Sequence, residues 1–253
     1  MDPAIELLIA SCASLLAGFV DAVAGGGGLI TFPALMLMGL PISTVVGTNK
    51  LVGTAGSSMS AYTFIRRKQV NPELLTFGFP LACCGAVFGA YLVLQIPNEF
   101  LKPFIGVFLL LLALYFFLRP KMGIENNYSS LGRNSKYVFL SFVFFFGFYD
   151  GFFGPGTGMF LTFIFIRFLK LDFVKAAGNT KVLNFASNIA SLLFFIAFGT
   201  VNFELGIPMA VCNLVGGRLG ANYAIKRGSG FVRWIFLIMS LLLAAKLLRD
   251  YIV

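Results

Sequence analysis

The chain has 253 residues, of which 58% are hydrophobic and 11% are charged. Soluble domains average about 45–50% apolar and about 25% charged residues, so the composition excludes a soluble protein and predicts an integral membrane protein. The net charge of +9 comes mainly from short loops between apolar runs, which is typical of membrane topology rather than of nucleic-acid binding. Histidine is absent, which excludes imidazole metal sites, His-dependent catalysis and His proton relays.

Ten apolar runs follow one another along the chain and predict α-helices. They cover residues 4–24, 29–40, 43–65, 73–95, 99–118, 136–153, 158–170, 173–198, 203–225 and 231–249. Most approach the roughly 20 residues that a membrane-spanning helix needs. The second and seventh runs are too short for an upright span. They are either half-helices or tilted spans in a locally thin part of the membrane.

The two halves of the chain are repeats of each other. Adding 131 to a residue number in the first half gives a matching residue in the second, as for Gly47 and Gly178 or Lys50 and Lys181. Because the matches include Gly, Asn, Lys and Glu rather than only the abundant Leu and Phe, they indicate a duplication. The predicted units are a first transmembrane repeat at 1–118, a linker at 119–135 and a second transmembrane repeat at 136–253.

The basic loops alternate between the two copies. Residues 66–68 are Arg-Arg-Lys, whereas their counterparts at 197–200 are uncharged, and residues 226–227 are basic where 95–98 are not. Positively charged loops stay in the cytoplasm, so the alternation predicts that the copies enter the membrane in opposite orientations. The linker is then cytoplasmic and both termini are outside, although Lys246 and Arg249 count against an outside C-terminus.

The predicted fold is therefore an all-α integral membrane protein with two inverted-topology repeats of about five transmembrane segments each. The helices at the glycine-rich breaks are expected to be short or broken. The alternative topology has eight spans, with the two short segments re-entrant.

Two glycine-rich breaks occupy corresponding places in the two halves. Unwound backbone at membrane depth persists only where protein buries it or where it lines a cavity, and a break that occurs in both halves points to a transporter binding site. The N–H groups and dipole of the following helix favour an anion there. The alternative is that the glycines let helices cross closely. The predicted anion-binding residues of the breaks are Gly25, Gly26, Gly27, Gly28, Gly154, Gly156, Thr157 and Gly158.

A polar motif ending in lysine follows each break. Lys50 lies about 10 Å inside its apolar run at 1.5 Å per residue, and an ionisable group within the membrane marks a functional site by default. Snorkelling of the lysine to the interface is the alternative. The residues predicted to contact a substrate or counter-ion are Thr48, Asn49, Lys50, Asn179, Thr180 and Lys181.

One aspartate precedes each break, at Asp21 and Asp150. Each carboxylate has three candidate roles, which are ion-pair partner of Lys50 or Lys181, carrier of a coupling proton, and helix cap. Three asparagines of the second half, Asn184, Asn188 and Asn213, replace smaller residues of the first half and are candidates for lining an asymmetric substrate path.

The motifs at 21–31, 48–50 and 147–155 resemble those of the TauE/SafE family of sulfite-exporter-like membrane proteins, and the last is most similar to its YfcA-type subgroup. The resemblance covers nearly the whole chain. It implies a bacterial inner-membrane, multi-pass transporter of small and often sulfur-containing anions, such as sulfite or sulfonates, without implying sulfite itself. The family is usually described as eight-spanning, which differs from the ten segments predicted above.

The function predicted from these features is secondary transport of a small organic or inorganic anion by alternating access. The alternative is an anion channel or facilitator without gradient coupling. No nucleotide-binding P-loop is present, so any driving energy comes from an ion gradient. The expected partners are a small anionic substrate, the lipid bilayer and a coupling proton or cation, with an oligomer as a further option. An enzymatic activity, a cofactor, a metal and nucleic acid are not expected, and buried charges argue against a mere scaffold.

Overall fold

The computed structural model describes residues 3–95, 114, 118, 121–128 and 132–252, and every regular element within these ranges is a helix. The first half contains α1 (Pro3–Ala24), α2 (Gly28–Met36), α3 (Ile42–Arg66) and α4 (Pro72–Val93). The second half contains α5 (Arg133–Phe152), α6 (Thr157–Leu169), α7 (Phe173–Ala197) and α8 (Phe203–Ile252). The predicted run at 99–118 lies outside the described residues, apart from 114 and 118.

The last two predicted runs lie in two helical segments of α8 that meet at a kink at Gly228, where φ is 78° and ψ is −178°. One boundary differs from the sequence-based predictions. α5 begins at Arg133, so the last residues of the predicted linker at 119–135 are already helical. The backbone N–H of Lys136 donates to the Gly132 carbonyl at 2.9 Å, so the helix extends beyond the apolar run.

The helices have the composition of a membrane protein. Three helical stretches within the described ranges are long and apolar enough to cross a membrane, namely Ile5–Ala24, Pro72–Val93 and Phe173–Ala197. Many large apolar side chains point outward, including Leu8, Phe88, Leu193 and Trp234. With 9 and 13 residues, α2 and α6 are about 14 Å and about 20 Å long. Neither length covers a hydrocarbon core of about 30 Å.

The two halves are interleaved rather than side by side. α1 packs against α8, and its counterpart α5 packs against α4, so the first helix of each half contacts the fourth helix of the other. Glycines four residues apart form these crossings. A Cβ added to any of them would lie closer than 3.0 Å to the backbone of the facing helix, as in small-residue packing in membranes. They are Gly85, Gly89, Gly147, Gly151, Gly216 and Gly220.

Reciprocal contacts join α3 and α7, which run antiparallel. The backbone N–H of Asn71, at the start of α4, donates to Asn179 Oδ1 at 2.9 Å. The backbone N–H of Asn202, at the start of α8, donates to Thr48 Oγ1 at 3.0 Å. Both members of the first pair are 131 residues from a member of the second, so the two contacts join equivalent positions of the two halves. The loops that follow α3 and α7 consequently lie at opposite ends of this helix pair.

The described part of the linker docks at the end of the molecule where α6 meets α7. Its Asn127 donates a backbone N–H to the Lys170 carbonyl at 2.9 Å, and the Tyr128 hydroxyl donates to Glu73 Oε2 at 3.0 Å. Partial burial and the Glu73 carboxylate raise the pKa of Tyr128 to about 12, so the phenol keeps its proton at neutral pH. These contacts place the linker beside the basic loop that precedes α4.

Candidate functional site

The two glycine breaks contact each other directly. Gly25 and Gly156 have positive φ values of 83° and 90°, a conformation that glycine adopts without steric cost. A Cβ added at Gly25 would lie 2.5 Å from the carbonyl carbon of Gly158. Close packing therefore accounts for Gly25 and Gly158, whereas a Cβ at Gly28 would have its nearest contact at 3.5 Å, with Pro155.

A polar cavity lies where the breaks meet, with a volume of about 40 Å³ for the centres of water-sized spheres. Its lining combines backbone of both breaks with side chains of both halves. The predicted site residues that line it are Asp21, Gly25, Gly27, Gly28, Asn49, Lys50, Asp150, Gly154, Gly156, Thr157 and Gly158.

Two ion pairs cross between the halves at this cavity. Lys50 Nζ lies 3.2 Å from Asp150 Oδ1, and Lys181 Nζ lies 2.7 Å from Asp21 Oδ2. Each lysine is therefore paired with the aspartate of the other half. Both ammonium groups are almost completely buried, so neither reaches the membrane surface by snorkelling.

The two aspartates have different surroundings. Asp150 also accepts a hydrogen bond from Ser187 Oγ at 2.5 Å, its backbone carbonyl accepts another from Lys50, and its side chain is 6% exposed. Asp21 accepts the Gly27 backbone N–H on Oδ1 at 3.1 Å and is 20% exposed. Asp21 is thus both an ion-pair partner and an acceptor at the N-terminal end of α2.

Comparison with known proteins identifies the family. The family model described as Sulfite exporter TauE/SafE matches residues 10–247. The chain belongs to the TauE/SafE family. No solved structure matches it.

Curated relatives match this TauE/SafE chain over nearly its whole length. It is 39% identical to the "Probable membrane transporter protein ORF9" of Sinorhizobium sp, over 94% of this chain and 90% of the relative. It is 36% identical to a "Probable membrane transporter protein" of Haemophilus influenzae, over 99% and 98%. It is also 36% identical to "Probable membrane transporter protein YfcA" of Escherichia coli, over 94% and 87%. The YfcA resemblance predicted from residues 147–155 is confirmed, and family and relatives together indicate a membrane transporter.

Five predicted site residues of this TauE/SafE chain are absent from the cavity lining, namely Gly26, Thr48, Asn179, Thr180 and Lys181. Thr48 and Asn179 accept the backbone N–H groups at the starts of α8 and α4. Thr180 lies 3.2 Å from Thr162, oxygen to oxygen. Lys181 is separated from the cavity by Asp21, with which it forms an ion pair.

The cavity is also lined by Asn184, Asn188 and Asn213, the three candidates for an asymmetric substrate path, and by Thr31 and Gly53, which the sequence-based site did not include. The three asparagines carried a signal, because each replaces a smaller residue of the first half. Thr31 carried one as well, since the repeat conserves it as Thr162. Gly53 lies against Asn188, whose Oδ1 would be 2.9 Å from a Cβ added at Gly53. Ser187, which donates a hydrogen bond to Asp150, corresponds to Gly56 of the first half, so the first half has no equivalent side chain.

Proposed function

We propose that this chain is a secondary transporter that carries a small anion across a bacterial inner membrane by alternating access. The observation that carries the proposal is the polar cavity at the junction of the two halves, bounded by both glycine breaks and by the buried Lys50 ammonium. In transporters built from repeats, substrate sites lie near the membrane midplane at the repeat interface, and discontinuous helices form them.

The chemistry of the cavity wall favours an oxyanion. Lys50 Nζ is 3.2 Å from a Cβ added at Gly154, so the ammonium of the first half lies against the break of the second. The N-terminal ends of α2 and α6 border the same space and contribute positive partial charge. A bound anion would be held by Lys50, by Asn49 and by the backbone of residues 154–158.

The size of the cavity favours a small ligand. A cavity that holds one water occupies at least about 10–15 Å³, so a cavity of about 40 Å³ accommodates an ion of a few heavy atoms. Sulfite, thiosulfate and short sulfonates are the first candidates, because the family description names sulfite export. Larger anions require a more open conformation.

Inverted topology is part of the proposal. The basic loop after α3 and the uncharged loop after α7 lie at opposite ends of the antiparallel helix pair. The linker docks near the basic loop, which supports a cytoplasmic linker. Termini on the outside require that α2 and α6 each complete a crossing despite their short lengths. Rocking of the two interleaved halves about the cavity would expose it to either side in turn.

Counterflow in liposomes tests this function. Purified protein is reconstituted with sulfite, thiosulfate, methanesulfonate or acetate inside, and uptake of a radiolabelled trace of the same anion is followed. A carrier accumulates the trace transiently, whereas a channel equilibrates it and gives unitary currents in planar bilayers. Absence of protein-dependent flux for every anion would overturn the proposal, and unitary currents would replace the carrier by a channel.

A further inference from the structure

The carboxylate of Asp21 occupies the donors that a substrate anion would use. Its Oδ1 accepts the backbone N–H of Gly27 at the N-terminal end of α2, and its Oδ2 lies 2.7 Å from the ammonium of Lys181. Asp21 lines the cavity while Lys181 does not. The carboxylate therefore separates one of the two buried cations from the space in which a ligand would bind.

The second ion pair leaves its cation at the cavity. Lys50 and Asp150 both line the cavity, and the Asp150 carboxylate is fixed by Ser187 Oγ at 2.5 Å. Its 6% exposure contrasts with the 20% exposure of Asp21. Of the two carboxylates, Asp21 is thus the more accessible to water.

One buried hydrogen-bond acceptor in the described lining of this cavity has no donor. Asn184, which lines the cavity, is 6% exposed, and its Oδ1 has no hydrogen-bond partner among the described residues. A buried acceptor without a partner is costly. A water molecule entering the cavity would donate the hydrogen bond that this oxygen lacks, whereas a fully ionised anion has no hydrogen to donate.

We propose that the anion and a proton load together, with the proton carried by Asp21. This inference rests on the proposed function. The four ionisable groups at the site, Asp21, Lys181, Asp150 and Lys50, sum to zero charge when all are ionised. An anion entering this neutral site competes with the Asp21 carboxylate for Lys181 and for Gly27 N–H. Protonation of Asp21 removes that competitor and leaves one net positive charge to balance the anion.

A proton fits this role better than a metal cation. A cation at Asp21 would face the Lys181 ammonium, which lies 2.7 Å from Oδ2, and the two positive charges would repel each other. A proton needs no coordination shell. For a monovalent anion, the proton binds the Asp21 carboxylate on one side of the membrane and leaves it on the other, so the step moves no net charge.

Proton uptake by the wild-type protein is the first test. Thiosulfate and methanesulfonate are suitable probes because neither changes charge between about pH 5.5 and about pH 8, and both are added to weakly buffered protein with an indicator dye. We expect uptake of about one proton for each anion bound. We also expect the affinity for the anion to fall about tenfold for each unit by which the pH rises, in the range where Asp21 is ionised in the free protein. Binding without proton uptake overturns the inference.

Two matched variants assign the proton to one carboxylate. Asp21→Asn cannot take up a proton, so its anion affinity is expected to be independent of pH and at least equal to that of the wild type at low pH. Asp150→Asn is expected to retain the pH dependence of whatever affinity remains. If Asp21→Asn keeps the wild-type pH dependence, Asp21 is not the proton carrier. If neither probe binds or crosses the membrane at any pH while sulfite and acetate also fail, the proposed function itself falls.

Discussion

Lys50 in the first half and Asp150 in the second form a buried ion pair, with Nζ 3.2 Å from Oδ1 and side chains 1% and 6% exposed. Removing one member of such a pair leaves an uncompensated charge in a low-dielectric interior. Replacing both members by apolar residues can be neutral or stabilising. The strongest test of this ion pair is therefore to replace its two members separately and then together.

Asp150→Asn is expected to destabilise the protein by about 3–5 kcal/mol, because Lys50 loses its counter-charge. The double variant Lys50→Met/Asp150→Leu should recover most of that loss. Thermal unfolding of the detergent-purified proteins measures both effects, with Glu125→Gln, an exposed linker carboxylate, as the control. A single variant as stable as the wild type would contradict the ion pair.

The pairing of Lys50 with Asp150 across the two halves shows which part of the site could be predicted from the sequence. The repeat pattern identified both lysines and both aspartates, because the duplication places them at equivalent positions. Which aspartate each lysine contacts depends on how the two halves interleave. That arrangement is set by the glycine-mediated crossings between distant helices, and no local pattern in one half encodes it.

Helix geometry explains why the predicted lysine motifs contain residues that do not line the cavity. Successive residues on a helix point about 100° apart, so three consecutive side chains cannot all face one site. Asn49 and Lys50 line the cavity, whereas Thr48 points to the start of α8. In the second half the same helical rotation directs Asn179 to α4 and Thr180 to Thr162.

Thr48→Val is accordingly expected to lower stability without changing substrate affinity. The change leaves the Asn202 backbone N–H, which is half-buried, without its acceptor, so the cost should be at the lower end of the roughly 1–3 kcal/mol for a buried group. A melting curve and a binding titration on the same preparation separate the two effects. A selective loss of affinity at unchanged melting temperature would instead place Thr48 in the substrate site.

The glycines of the first break should respond differently to alanine. At Gly25, with φ of 83°, an added Cβ would lie 2.5 Å from Gly158 backbone, so Gly25→Ala is expected to disrupt the contact between the breaks and reduce folded yield. At Gly28 the nearest atom would be 3.5 Å away, so Gly28→Ala is expected to fold and to weaken anion binding by narrowing the cavity. Size-exclusion profiles and thermal stabilisation by thiosulfate report the two outcomes. Equal behaviour of the two variants would contradict this division of roles.

The lysines should be essential for transport. Lys50→Met removes the cation that lines the cavity, and Lys181→Met removes the one behind Asp21, so flux of the transported anion should be abolished in each. Lys226→Met, at an exposed position, is the matched control and should transport normally. Membrane insertion is verified by equal amounts of protein in the liposomes. Undiminished flux in either buried-lysine variant would exclude that lysine from the transport site.

Equivalent loops of the two halves should face opposite sides of the membrane. Arg67 and Phe198 cap the C-terminal ends of α3 and α7 and are 131 residues apart. Both are exposed, at opposite ends of the antiparallel helix pair. In a variant lacking the four native cysteines, Arg67→Cys is expected to react with a membrane-impermeant maleimide only after the cytoplasmic side is opened. Phe198→Cys should react in intact cells from which the outer barrier has been removed. Labelling of both from the same side would contradict the inverted repeat, because a parallel duplication places equivalent loops on one face.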